Sequence, residues 1–113
     1  MRYGLSEETY NRIKEVIKNN QDYKFILFGS RARGDYKNTS DIDIAVKENI
    51  PREEQYKIMN EIDLLNIIYK IDLVFIDEKT NPELLESIKR DGVEFWWKDL
   101  KRESKTWLKQ LKD

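Results

Sequence analysis

Apolar positions Tyr10, Ile13, Val16 and Ile17 recur at helical spacing behind Ser6-Glu7-Glu8. A capping hydroxyl followed by acids in the first turn predicts a helix start at Ser6, and Asn19-Asn20 predicts its end. Tyr23 to Phe28 is apolar and aromatic-rich and stops at Gly29, the pattern of a short buried strand. From Gly29 to Ser40 the chain turns polar, which predicts a loop with room for one helical turn. Asp41 to Val46 then alternates, with Ile42, Ile44 and Val46 on one side and Asp41, Asp43 and Ala45 on the other; a period of two means a strand. Pro51, in the first turn with Glu53 and Glu54, opens a second long helix. Its stripe is Ile58, Ile62, Leu65 and Tyr69, widened by Met59 and Ile68. Ile71 to Ile76 is apolar except for Asp72, which predicts a central strand covered on both faces. Thr80 and Glu83 fit a capping box, with Pro82 in the first turn and Gly92 at the position after the helix. Val93 to Trp97 reads either as an edge strand or as the lead into a last helix carrying Leu100, Trp107, Leu108 and Leu111.

Strands alternating with helices put the chain in the α/β (α+β) class, with a small three- to four-stranded sheet flanked by helices. Its 113 residues suffice for one domain and one core. There is neither cysteine nor histidine. That excludes disulfide scaffolds, Cys/His zinc sites, thiol nucleophiles and Ser-His-Asp triads. Catalysis here has to use carboxylates, hydroxyls, lysines, arginines, backbone amides and bound metal. The 21 basic and 22 acidic side chains nearly cancel, so the chain is not a polycation built to coat nucleic acid. The start of the chain has no apolar stretch of a signal peptide, and the longest uninterrupted apolar runs, such as Phe25 to Phe28, are far shorter than the ~20 residues of a membrane span. A cytoplasmic location is expected. Residues 98–113 hold six basic and three acidic side chains, and all three tryptophans (Trp96, Trp97, Trp107) fall within the last eighteen residues. We therefore divide the chain into a core, 1–97, and an amphipathic terminal helix, 98–113, which packs on the core or docks a partner.

Asp41 and Asp43 are two apart on a predicted strand, so their carboxylates share a face. Hard carboxylate oxygens suit Mg²⁺, which keeps waters and completes its shell with substrate phosphate. With ten aspartates in the chain, about one Asp-x-Asp arises by chance, so the pair alone says little. The upstream loop adds to it. Gly29-Ser30 directly follows the first strand and lies ten residues before Asp41; glycine lets backbone amides approach a phosphate, and the serine can donate to its oxygens. Asp72 is the third piece, since an ionised group inside an apolar strand calls for a charged partner such as a neighbouring metal site.

The string GSRARGDYKNTSDIDIAV, from Gly29 to Val46, with Asp72 in a later strand, resembles the polymerase-β nucleotidyltransferase superfamily. In size the chain is similar to the minimal nucleotidyltransferases, the MntA-type antitoxins of HEPN/MNT toxin–antitoxin pairs; the resemblance covers residues ~6–95 and does not extend to the end of the chain. It implies a mixed sheet and a Mg²⁺-dependent transfer from ATP. Asp41 and Asp43 would hold two Mg²⁺ ions, and Asp72 would complete the catalytic site. Gly29 and Ser30 would grip the β and γ phosphates. Arg31, Arg33 and Ser40 are further nucleotide-binding candidates in the same loop.

At 113 residues the chain is not expected to carry a separate acceptor domain. The resemblance implies a HEPN-family RNase toxin as hetero-oligomeric partner, silenced by AMP transfer to a tyrosine near its active site, with no membrane or direct nucleic-acid partner. Two other readings fit the same residues: an antitoxin that acts by occlusion without catalysis, and a transferase acting on a small molecule of the aminoglycoside type.

Overall fold

The computed structural model describes residues 2–47 and 49–95. In chain order the elements are α1 (Glu7–Asn19), β1 (Phe25–Phe28), α2 (Gly29–Arg33), β2 (Ile42–Val46), α3 (Arg52–Asp63), β3 (Ile71–Phe75), α4 (Pro82–Asp91) and β4 (Val93–Phe95). The strands form one mixed sheet in the order β3-β2-β1-β4. β1 pairs antiparallel with both β2 and β4, and β2 pairs parallel with β3.

Alternation along the strands sorts the side chains onto two faces. Phe25, Leu27, Ile42, Ile44 and Val46 point to one face, where they pack with Ile13 and Ile17 of α1 and Ile58 of α3. Ile26, Phe28 and Ala45 point to the other and pack with Ile88 of α4, with Val74 and Leu84 at the margin. Two helices thus cover one face and a single helix covers the other, leaving room beside α4. Asp43 and Asp72 belong to that less covered face.

The helix ends follow from local chemistry. Ser6 caps α1, its hydroxyl oxygen accepting from the Thr9 amide at 3.2 Å, as its position before Glu7 and Glu8 predicts. The cap of α4 is Asn81, not Thr80: Asn81 Oδ1 accepts from the amides of Glu83 and Leu84, whereas the Thr80 hydroxyl accepts from the Asp77 amide. An asparagine one position later outcompetes the Thr80–Glu83 box. Gly92 ends α4 in an extended conformation, not a left-handed one. A glycine is needed because a Cβ there would run into the Ile88 carbonyl and the Ile26 side chain at 2.6 Å. Pro51 is the residue before α3, one position earlier than expected.

Three expectations about the core need correction. β3 is an edge strand among the described residues, half-buried throughout, not a central strand. Its apolar run reflects partial cover on both faces, with nothing described pairing along its outer side. Met59 and Ile68 do not widen the buried stripe: they are 43% and 91% exposed. Helix α3 ends at Asp63, so Leu65 and Tyr69 pack on the core from the segment after it. Of the two readings of Val93 to Trp97, the strand holds over Val93–Phe95; residues 98–113 lie outside the described residues. Among those described, no helix is long and apolar enough to cross a membrane.

Candidate active site

Strand register assembles the acidic group. In the parallel pair, Asp43 of β2 stands directly opposite Asp72 of β3, with both side chains on the α4 face. Asp41 immediately precedes β2, and its charge reaches Asp43. On the other side of β2, Phe28 pairs with Asp43, so β1 ends and hands the chain to Gly29 beside that carboxylate. Gly29 has φ 75°, in the left-handed region, and a Cβ on it would collide with Asp43 Oδ2. Only glycine lets the loop turn this close to the acid.

Burial pushes the Asp43 carboxyl above its ordinary pKa, and the charges of Asp72 and Asp41 push the same way, while Arg33 opposes them. Carboxylates that repel one another on a half-open face have the donor chemistry of a hard divalent cation. Among the described residues no group of three acids is placed to hold a metal ion together. A magnesium ion bound through one or two carboxylates, water and substrate phosphate needs no such set, so the residues fit this group. Asp43 and Asp72, which face each other across the parallel pair, could hold it, and it would neutralise a bound triphosphate and its leaving group. Lys70, exposed, lies 3.4 Å from Asp72 Oδ1.

The loop from Gly29 to Ser40 contains the short helix α2, and Ser30 sits in its first turn with its carbonyl accepting from the Gly34 amide at 2.9 Å. Ser40 closes a turn: its hydroxyl oxygen accepts from the Lys37 amide at 2.8 Å. Arg31 corrects an expectation. It is 1% exposed, and its guanidinium donates to the carbonyls of Tyr3 (2.9 Å) and Ser40 (3.0 Å), with longer bonds to Lys37 and Asn38. The rings of Tyr69 and Tyr36 lie 4.6 and 5.1 Å from its central carbon. Arg31 is therefore buried, with its guanidinium turned to main-chain carbonyls. It fixes the backbone that delivers Ser40 and Asp41, because a planar fork of donors can hold several carbonyls at once.

Arg33 faces the other way. It is partly exposed, donates to Asp35 and to Asp91 of α4 at 3.3 Å each, and its charge reaches Asp43. Asp91 bridges Arg33 and Arg90, and the hydrogen bond from Arg90, with help from Arg33, holds its carboxyl below the usual range. Nothing in the sequence pattern marks Asp91, Tyr36 or Tyr69 as partners of these arginines. Asp91 is one of many charges at helix ends, and the two tyrosines sit 33 residues apart with no shared periodicity.

The sheet, its helices and the strand–glycine–helix turn form a nucleotidyltransferase fold. Residues 11–101 match the sequence profile of the family described as polymerase beta, nucleotidyltransferase. The chain belongs to that family and is a minimal nucleotidyltransferase enzyme. Two relatives from Methanocaldococcus jannaschii are named "Putative protein adenylyltransferase MJ0141" and "Putative protein adenylyltransferase MJ1217". The first is 42% identical, covering 68% of this chain and 90% of its own. The second is 37% identical, covering 79% and 95%. Among solved structures, a toxin–antitoxin complex with AMP-PNP aligns at TM-score 0.56 and 19% identity over 91% of this chain and 98% of that one, a likeness of fold. A nucleotidyltransferase from Sulfolobus solfataricus aligns at TM-score 0.50 and 29% identity, over 76% and 78%.

Proposed function

We propose that this enzyme transfers AMP from ATP to a tyrosine hydroxyl of a HEPN-family RNase toxin, and so acts as that toxin's antitoxin. The observation that carries this reading is the facing pair Asp43 and Asp72, set beside the Gly29 turn on the open face of the sheet. A triphosphate laid along Gly29 and Ser30 would bring its α-phosphorus to the acidic group. The acceptor oxygen bonds to that phosphorus as its bond to the pyrophosphate oxygen breaks. The hydroxyl proton leaves to water or to a carboxylate of the group. Two Mg²⁺ ions held by Asp41, Asp43 and Asp72 would supply charge neutralisation when bound. Arg33, whose charge reaches Asp43, would meet phosphate charge at the same end.

Two facts favour a protein acceptor. The named relatives are described as acting on proteins, and the fold matches chains crystallised within toxin–antitoxin complexes. On this reading the core spans 1–97, residues 98–113 add docking surface, and the protein works in the cytoplasm as a hetero-oligomer.

The test is intact-mass spectrometry of a purified HEPN-family toxin after incubation with this protein, ATP and Mg²⁺. Mass rising in AMP increments with wild type, and not with Asp41→Ala/Asp43→Ala, is the expected result. A silenced toxin of unchanged mass would establish occlusion instead. Neither modification nor complex would point to a small-molecule acceptor.

A further inference from the structure

A helix C-terminus is the negative end of its dipole, where a carboxylate is disfavoured unless cations hold it. Asp91, the last residue of α4, is such a carboxylate, and its side chain is only 10% exposed. Two arginines hold it. Arg90, its neighbour in the chain, donates to both carboxylate oxygens, at 3.2 and 3.3 Å. Arg33 reaches across from the end of α2, its Nη1 donating to Asp91 Oδ2 at 3.3 Å.

Strand register places this contact beside the acidic group. β4 runs antiparallel to β1 with Val93 opposite Leu27, so the chain leaves α4 at the end of β1 where Gly29 turns. Phe28, just before that turn, pairs with Asp43. Ile88 of α4 packs with Phe28 and Ala45, and Ala45 shares a sheet face with Asp43. Asp91 therefore stands on the Asp43 face and at the Gly29 end. Its place is fixed, because Gly92 fits against Ile26 and the Ile88 carbonyl with no room for a Cβ.

The two acids that Arg33 binds are not equivalent. Asp35 is 65% exposed and lies two residues from the arginine, so it moves with it. Asp91 ties the same guanidinium to a helix packed on the sheet. These bonds use Nε and Nη1, and a guanidinium carries further N–H donors for an incoming anion.

We infer that Asp91 is a positioning residue: it holds the Arg33 guanidinium at the Gly29 end of the sheet, where the fork meets the triphosphate of the nucleotide. The inference rests on the reading above in which a triphosphate lies along Gly29 and Ser30, whatever the acceptor is. Charge and position give opposite signs for the loss of Asp91. Asp91→Asn deletes a negative charge near a polyanion site, which by charge alone tightens binding. Without its anchor Arg33 gains rotamers that binding has to freeze out, which weakens it.

The experiment is calorimetry of the full chain with Mg²⁺ and a non-hydrolysable ATP analogue, with no acceptor protein present. Asp91→Asn is expected to weaken binding by about fivefold to tenfold, and Asp91→Glu to recover part of the loss. In an Arg33→Ala background Asp91→Asn should change nothing further, because Asp91 acts through Arg33. Arg33→Lys, at a partly exposed side chain, keeps the charge without the fork and should lose about as much. Thermal melts run alongside: a lower Tm with unchanged affinity makes Asp91 structural only and overturns the inference. Tighter binding by Asp91→Asn overturns it, and so does an equal loss in the Arg33→Ala background. Wild-type affinity in Arg33→Lys overturns it too, and that variant decides the matter if Asp91→Asn does not fold. Wild type that binds no analogue overturns the nucleotide reading and this inference with it. A toxin left unmodified beside weakened binding by Asp91→Asn sinks the protein acceptor alone and leaves Asp91 in its role.

Discussion

β2 and β3 lie side by side in parallel, each contributing one aspartate in register, yet their surroundings differ. β2 is flanked by strands on both sides and buries every residue except Asp43. β3 is an edge with every residue half-exposed. One half of the acidic group is thus built into the core, with Gly29 packed against Asp43, and the other half stands at the edge of the described sheet, half-exposed to solvent. Rigid chemistry on the inside and access on the outside come from the order of strands alone.

The largest expected effect on that contrast is at the inner acid. Asp43→Asn should lower transfer by roughly 10³-fold, measured as initial rate at saturating ATP. The same change should raise the Tm of the metal-free protein at neutral pH. The folded-state pKa of Asp43 lies above its unfolded value of about 3.8, so stability falls as pH rises through that interval, and the loss persists above it. A lower Tm for the variant would contradict the repulsion described here.

Next come the flanking aliphatics. Ile44→Ala in β2 should cost about 2–5 kcal/mol, and Leu73→Ala in β3 roughly half as much, because the edge site already sees solvent. Urea unfolding of both variants measures the gap, and equal costs would erase the distinction between the strands. Arg31→Lys keeps the charge and loses the fork, and should cost about 1–3 kcal/mol by the same assay. Asp91→Asn should lower Tm at neutral pH. Its native pKa is depressed, so the stabilisation is present above the unfolded value and lost as pH falls through the folded one. The Tm difference from wild type should therefore shrink in acid. Smallest of all, Lys70→Ala should stay within about 0.5 kcal/mol, as expected of an exposed ion pair.

Much of this was legible along the chain, and the gaps have physical causes. Ser6 and the alternation from Ile42 to Val46 carry local signals, so their elements fall where they were expected. The Gly29-Ser30 and Asp41-x-Asp43 spacing is also local, which is why the sequence alone marks those residues as candidates. Whether a strand is central or at an edge is decided by which strands pair, and Ile71 to Phe75 looks the same in either place. Likewise Met59 and Ile68 fit an apolar period, but a period does not say where a helix ends or which side of it is left uncovered. The burial of Arg31 leaves no mark in the sequence, because its partners are carbonyls, which every residue possesses and no pattern singles out.

That last property has an evolutionary consequence. Arg31 grips Tyr3, Lys37, Asn38 and Ser40 through their main-chain oxygens alone. The side chains at 37 and 38 are no part of that grip. The loop can therefore exchange its lettering at those positions while keeping its shape, so a library randomised there should retain folded members far more often than one randomised at 31. Selection could retune what the loop meets without rebuilding the site it carries.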